Sequence, residues 1–475
     1  MNDQDTASRP ITVSLYESAE KIYPRTVQGR YATWRWICVF LTQAVFYGLP
    51  WLEWGSRPSV LFDLENRRFF IFSLVLYPQD FIYLTGLLVG CALSLFLVTA
   101  IAGRVWCGFS CPQTVYSEIF MYIERLVEGE RPQRMKLDQS RFSGQYVFKK
   151  FIKHSIWIAI SLITGFSFVA YFVPARTLTD SVMHAQVFGW SLFWIVFYGF
   201  ATYGNAGFMR EQVCKYMCPY ARFQSAMFDQ DTLIVTYNQQ RGESRGHRSK
   251  NADPIAIQAQ GLGDCVDCNL CVQVCPTGID IRDGLQYECI GCGACADVCD
   301  PVMKKMNYAT GLISFSTERA QKMGAKSVSL LGTIARPRVL IYAFLLTCLS
   351  SVMLYNLLTQ APFKLDIVRD RSAMSRLSED SQHHMILENI YRIQIMNASE
   401  EDESYHLSVK GLDQIQLQTP STLTVKAAQS EWFALRVSVP AEIDTSGSHK
   451  IFLTLTPTHS NHTLSEATMF LVPSH

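Results

Sequence analysis

No cysteine follows Cys348, so disulfides hold no part of the C-terminal region together. Charge is scarce: Asp, Glu, Lys and Arg make up 17% of the 475 residues, and the formal net charge is +1. That balance gives no electrostatic argument for a nucleic-acid partner, and none is expected. The stretch from Met1 to Arg30 is polar and charged, without the apolar core and cleavage site of a signal peptide. No nucleophile–base pair and no phosphate-cradling loop is evident, which points away from a bond-making active site. What the chain does have is long apolar runs and fifteen cysteines, eight of them in one stretch.

That stretch runs from Cys265 to Pro301. It contains Cys265, Cys268, Cys271 and Cys275, then Cys289, Cys292, Cys295 and Cys299. Each half is Cys-x2-Cys-x2-Cys-x3-Cys, the run that wraps a [4Fe–4S] cluster, with the fourth cysteine serving the other cluster. The expected sets are Cys265, Cys268, Cys271 and Cys299 for one cluster, and Cys289, Cys292, Cys295 and Cys275 for the second. Gly291 and Gly293 suit the tight turns between ligands. A pair of zinc ribbons would need only two Cys-x2-Cys knuckles per metal and leaves the third and fourth cysteines of each half without a use. The second half ends Cys299-Asp300-Pro301, so its proline arrives one residue late, without loss of a ligand.

Along the chain, Ile37–Leu52, Phe81–Ala102, Ser155–Val173, Val187–Phe208 and Val339–Leu358 read as membrane spans. The run Phe69–Tyr77 is too short to span and reads as interfacial or re-entrant. Gln113–Val127 reads as an amphipathic helix. The segment 103–153 carries nine basic residues, against four in 53–80 and 174–186 together. The positive-inside rule then puts the N-terminus and the cysteine-rich module in the cytoplasm and the C-terminal region outside. From 364 onward, the alternating runs Leu423–Lys426 and Phe433–Val439, the strand candidate Ile451–Thr456 and the imperfectly alternating Ile390–Met396 predict a β-sandwich of immunoglobulin-like size. The expected class is therefore a multi-pass α-helical membrane protein with a ferredoxin-like (α+β) insert holding two [4Fe–4S] clusters and a C-terminal all-β immunoglobulin-like sandwich. Its expected parts are a cytoplasmic tail at 1–30, a four-span region at 31–210, a cytoplasmic region at 211–337 with the ferredoxin module at about 255–310, a fifth span at 338–359 and a periplasmic domain at 360–475.

Two further motifs repeat. Cys107-x3-Cys111-Pro112 and Cys214-x3-Cys218-Pro219 each follow an apolar run and precede a helix-compatible segment. Proline favours the first helical turn and keeps the residue before it extended, so each motif is expected to end one helix and start the next. Paired soft thiolates suit Cu(I) or an electron-transfer metal. Two converging pairs would also supply a four-sulfur site for zinc or another cluster. The plainer reading is that these are small apolar side chains at helix ends, as Cys38, Cys91 and Cys348 are of helix interiors. Weaker candidates are His184 as a metal or quinone contact, which a solvated loop histidine explains as well, and Met209 and Met217 as thioethers, which filler explains. Met303 and Met306 are expected to pack against the cluster fold, and Lys149 and Lys150 to anchor at a membrane surface. Asn397-Ala-Ser and Asn461-His-Thr match a glycosylation sequon.

The combined order resembles the CcoG/FixG/RdxA family of cytochrome c oxidase accessory polyferredoxins. Phe62-Asp-Leu, Arg68-Phe-Phe-Ile-Phe, Tyr77-Pro-Gln-Asp and Glu388-Asn-Ile-Tyr-Arg-Ile-Gln-Ile-Met-Asn are similar to that family too. The resemblance covers the chain from about residue 20. It implies a bacterial inner-membrane protein that assists assembly of a cbb(3)-type oxidase by reducing Cu(II) to Cu(I), with oxidase subunits or copper-delivery proteins as partners. The eight module cysteines would hold two [4Fe–4S] clusters, and Cys107, Cys111, Cys214 and Cys218 would handle copper. Two other classes fit less of the chain. One is a quinol-linked electron-transfer subunit feeding a periplasmic reductase; the other is a redox-sensing assembly scaffold without enzyme activity.

Overall fold

The computed structural model describes residues 21–55, 57–140, 143–249, 261–323, 330–370, 375–379, 383–443, 446–459 and 462–473. The tail up to residue 20, the start of the ferredoxin module at 255–260, and Asn461 lie outside them.

The helices in order are α1 (Arg30–Gly48), α2 (Phe81–Ala102), α3 (Val105–Phe109), α4 (Pro112–Glu128), α5 (Arg131–Gln139), α6 (Gly144–Val169), α7 (Ala175–Met183) and α8 (Gly189–Gly204). Beyond α8 the backbone switches to π-helix at Asn205–Met209 and again at Val213–Met217, before the helix Pro219–Ala226. Among the described residues three helical stretches are long and apolar enough to cross a membrane: Pro78–Ala102, Gly144–Val169 and Pro337–Thr359. The sequence reading of five spans included α1 and α8, which do not reach that standard. The α8 helix stops after 16 residues at the π-helical switch, and α1 opens with Arg30 and Arg35.

The chain divides into two compact units. Unit 1 comprises Met1–Gln43, Leu95–Gly165 and Trp194–Tyr342, and therefore holds both Cys-x3-Cys-Pro motifs and the whole cysteine-rich module. That module is α+β: strand Ile234–Tyr237 pairs antiparallel with Ile313–Ser316, over helices Leu270–Gln273 and Ala294–Lys305. Val235, Tyr237, Ile281, Met303, Leu312 and Ile313 form its core together with Cys265 and Cys271. Met303 thus packs against the cluster fold, as its sequence context suggested.

Unit 2 comprises Ala44–Ser94, Phe166–Phe193 and Ala343–His475. Its C-terminal part is two antiparallel sheets. One runs Gln416–Leu417, Ser430–Pro440, Met385–Asn397, Phe363–Arg369, with Arg376–Glu379 also on the third strand; the other runs Thr422–Val425, Glu403–Lys410, Gly447–Pro457, Leu464–Val472. Inward residues such as Tyr391, Ile393, Ile395, Val437, Leu453 and Phe470 are completely buried between the sheets. That burial is what the alternating pattern encodes. Strand Met385–Asn397 alternates poorly in sequence because Met396, on its other face, packs with Leu61, Phe70, Val75 and Tyr77. Leu61, Phe70 and Val75 belong to a three-stranded sheet, Val60–Asp63, Arg68–Ile71 and Leu74–Leu76, and Tyr77 follows its last strand. The stretch Phe69–Tyr77 is therefore a hairpin followed by an extended residue, not a re-entrant segment. Asn397 is no glycan acceptor either. It is fully buried; its amide donates to Glu401 O, Val425 O and Lys426 O, and its Oδ1 accepts from Ser399 N and Oγ.

Candidate redox site

The two cysteine-rich halves turn in the same way. Asp267 and Asn269 flank Cys268 with φ of 51° and 55°, and Gly291 and Gly293 flank Cys292 with φ of 68° and 73°. All four sit in the left-handed region, which brings successive ligands to one side. What stands nearby decides which residue type fills it. In the first half Asp267 Oδ1 and Asn269 Oδ1 accept from Arg282 at 2.6 and 2.5 Å, so their side chains are used. In the second half a Cβ on Gly293 would lie 2.6 Å from Tyr31 Cγ, and one on Gly291 3.3 Å from the Arg104 carbonyl. Only glycine supplies both the angle and the space there.

All fifteen cysteines are free thiols. Burial pushes the Cys299 thiol up to about 12, helped by the fields of Cys271, Cys268, Asp300 and Cys265. Burial likewise drives Cys295 well above the usual thiol range, with Cys292, Cys289, Cys275 and Cys271 adding to it. Each fourth cysteine is thus brought to the opposite triad. Cys265, Cys268, Cys271 and Cys299 line one cavity, and Cys275, Cys289, Cys292 and Cys295 line another, with Cys271 at the edge of both. Two cavities, one walled by four thiols with Asn269 and Arg282 and the other by five thiols with Thr277, fit two [4Fe–4S] clusters. Among the described residues no three His, Cys, Asp or Glu converge tightly enough for a single metal ion. A four-iron cube needs its thiolates set wider than that.

The Cys-x3-Cys-Pro motifs sit at helix junctions. Cys107 lies in α3, and Cys111 caps α4 with Pro112 in its first turn; Cys214 lies in the π-helical Val213–Met217, and Cys218 caps Pro219–Ala226. The fold brings Cys107 and Cys214, one from each pair, against the same residues. Burial raises Cys107 to about 12, with Cys111, Cys214 and Cys218 all adding to it against Arg104. Burial raises Cys214 to about 11, again with Cys111 and Cys218 contributing. Four thiols from two distant stretches are thus neighbours, though among the described residues no three of them converge as a formed metal site. Cys107 Sγ donates to Gln224 Oε1 at 3.3 Å, and Gln224 is fully buried. Its amide continues to Thr99 Oγ1, which also meets Tyr220 Oη.

The four thiols abut the second cluster loop directly. Cys107 and Cys214 pack with Val274, Ile290, Cys292 and Ala294. A Cβ on Gly108 would fall 2.8 Å from Ile290 O and 2.9 Å from Cys292 Cα. Arg104, itself buried, donates to the carbonyls of Tyr287, Cys289 and Ala221, tying the first motif to the cluster loop and to the helix after the second motif. Arg104 precedes the first motif by only three residues, yet nothing in the sequence singles it out.

Other sequence candidates stand apart. His184 is exposed and turns to Asp180 of its own helix, in unit 2. Met217 is exposed, and Cys38, Cys91 and Cys348 lie along α1, α2 and Pro337–Thr359. Lys150 is not a surface anchor: it pairs with Glu128 at 2.8 Å and Asp138 at 2.7 Å. Beside it, buried Glu124 meets Arg210 at 3.0 Å, Arg134 at 3.3 Å and Lys153 at 3.4 Å. Burial would raise this carboxyl, but Arg210, Lys153, Lys21 and Arg134 outweigh it and hold it at about 2.

A family model described as a 4Fe-4S dicluster domain matches residues 209–318, and one described as a 4Fe-4S binding domain matches 84–128, which takes in the first Cys-x3-Cys-Pro motif. A third, the IG-like fold at the C-terminal of FixG, matches 353–473. The nitrogen fixation protein FixG of Rhizobium meliloti is 36% identical over 93% of this chain and 87% of its own length. Proteins RdxB and RdxA of Cereibacter sphaeroides are 37% and 36% identical, each over 84% of this chain and over 83% and 84% of their own lengths.

Proposed function

The chain belongs to the FixG/RdxA family of iron–sulfur electron-transfer proteins, and on that premise we propose that it reduces Cu(II) to Cu(I) at the four Cys-x3-Cys-Pro thiols. The observation that carries this reading is the direct packing of Cys107 and Cys214 on the Ile290–Cys292 loop. When bound, two [4Fe–4S] clusters supply one-electron carriers. The residues assigned to hold them are Cys265, Cys268, Cys271 and Cys299 for one, and Cys289, Cys292, Cys295 and Cys275 for the other. Copper is substrate here: Cu(II) takes one electron, and Cys107, Cys111, Cys214 and Cys218 offer soft ligands that favour the Cu(I) product. Burial raises the Cys107, Cys111 and Cys214 thiols, which must give up protons to bind copper, so binding is coupled to proton loss. Gly108 and Arg104 keep the donor loop against the thiols.

In the fuller reading the protein is an inner-membrane, multi-pass component of cbb(3)-type oxidase assembly, and the copper it reduces is passed toward the haem–copper centre. The module and the N-terminus lie in the cytoplasm and the immunoglobulin-like domain in the periplasm; the basic loops support that orientation. The test is anaerobic. Reduced, cluster-loaded protein is mixed with Cu(II) and a Cu(I)-specific chelator, and wild type is compared with the Cys107→Ala/Cys214→Ala double variant. Stoichiometric Cu(I) from wild type, lost in the variant while the cluster spectra persist, supports the assignment. Equal Cu(I) from both places reduction at the clusters themselves and overturns it.

A further inference from the structure

A cavity of about 580 Å3 opens in unit 1 between α4, α5, α6 and the segment Gly207–Gln212. Pockets for small organic ligands run from roughly 300 to 1,000 Å3. Its cations are already matched, and the carboxylate of Glu211 accepts from Gln212 Nε2 at 3.2 Å. Lys21 pairs with Asp138 at 2.6 Å, Lys150 with Asp138 and Glu128, Lys153 with Glu124 and Glu128, and Arg210 with Glu124. Cations satisfied in this way have little to offer a phosphate or an anionic lipid headgroup, because drawing them off would strip buried carboxylates of their partners. An uncharged occupant with hydrogen-bonding groups fits better.

The rest of the wall favours a ring. His154 stacks on Phe208 with centroids 5.9 Å apart and planes at 12°, and meets the edge of Trp157 at 5.2 Å. All three line the cavity. His154 Nδ1 pairs with Tyr203 Oη at 3.0 Å. In the tautomer that donates this hydrogen bond, Nε2 is an acceptor for a ligand hydroxyl. Tyr146, Lys150, Lys153, His154 and Trp157 recur at helical spacing along α6, so one face of it builds the site. That helix is one of the three able to cross a membrane. A lipid-soluble ligand would meet the cavity where α6 begins.

The location is redox-competent. The wall at Arg210, Glu211 and Gln212 runs straight into the π-helical turn that carries Cys214. Arg210 O also accepts from Gln113 Nε2 at 3.1 Å, two residues beyond Cys111. We infer that this cavity binds a lipid-soluble hydroquinone that serves as the electron donor, resting on the reading that copper is the acceptor. The stoichiometry closes. One hydroquinone loses two O–H protons and two electrons and becomes the quinone, while two Cu(II) become two Cu(I). One proton passes first to His154 Nε2, and both end in solvent.

The test uses the full-length, cluster-loaded protein in detergent, titrated with a short-chain ubiquinone while tryptophan fluorescence is read. Saturable quenching is expected, weakened about tenfold or more in His154→Ala, as for a lost hydrogen bond together with a lost ring contact. Cluster absorption checks that the variant is folded. A photoreactive quinone on wild-type protein gives a second reading that needs no variant, with label expected on α6 or on residues 207–212. Absent saturation, unchanged affinity in His154→Ala, or label confined elsewhere overturns the inference. Copper reduction by dithionite-reduced wild type is run in parallel. If it proceeds while quinone binding is absent, only the donor site falls; if it is absent while quinone binds, the copper reading falls and the binding site stands.

Discussion

Replacing Gly108 by alanine sets two effects of known sign against each other. Gly108 lies inside α3, where alanine is intrinsically better than glycine by about 1 kcal/mol. The added Cβ, however, would sit 2.8 Å from Ile290 O and 2.9 Å from both Cys292 Cα and Gly291 C. These are backbone atoms and cannot rotate away, so the motif and the cluster loop must part by roughly half an ångström, at a typical overpacking cost of about 1–3 kcal/mol. The clash wins, and a net loss of up to about 2 kcal/mol is expected. Gly204→Ala is the matched control: its backbone is helical and a Cβ there meets nothing within 4 Å. The assay is thermal unfolding of cluster-loaded protein in detergent, with stopped-flow Cu(I) formation on the same samples. Gly108→Ala should unfold at lower temperature and deliver electrons to copper more slowly at unchanged cluster content, whereas Gly204→Ala should do neither. A Gly108→Ala protein as stable and as fast as wild type would refute the claim that this contact positions donor and acceptor.

Cys275→Ala should remove the cluster of the second half and Cys299→Ala that of the first, read by electron paramagnetic resonance of the remaining cluster; loss of the same-half cluster in each would overturn the crossed assignment. Glu124 is held at about 2 against an ordinary carboxyl value of 4.5. Because its folded value is depressed, its stabilisation of about 3 kcal/mol is present in full above pH 4.5 and is lost as pH falls toward 2. Glu124→Gln should flatten that part of the stability–pH curve, and by stranding its buried cations cost about 3–5 kcal/mol at neutral pH. Arg104→Lys cannot reach three carbonyls with one ammonium; unfolding temperature should fall by the equivalent of about 2 kcal/mol, and a smaller loss would mean the tie is dispensable. Asn397→Asp leaves buried carbonyls facing a carboxylate; thermal unfolding should report a loss of several kcal/mol, in contrast to a change at an exposed sequon asparagine.

The sequence alone determined the elements whose chemistry is local. Cysteine spacing marks the two halves of the cluster module, because ligands to one cube must come from a few consecutive turns. Proline after Cys111 and Cys218 marks two helix starts, since its fixed φ suits only the first turn. Alternation marks most sandwich strands, failing on Met385–Asn397 where Met396 is also buried on the strand's other face. Tertiary structure decided everything that depends on a partner far along the chain. The thiols of residues 107–111 and 214–218, far apart in the chain, become neighbours only in the fold. Gly293 must be glycine because Tyr31 lies against it, and Asn269 need not be because Arg282 bonds its side chain instead. Lys150 looks like an interfacial anchor until the fold supplies Glu128 and Asp138 opposite it. A charge's partner, unlike a ligand's spacing, is written nowhere near it in the sequence.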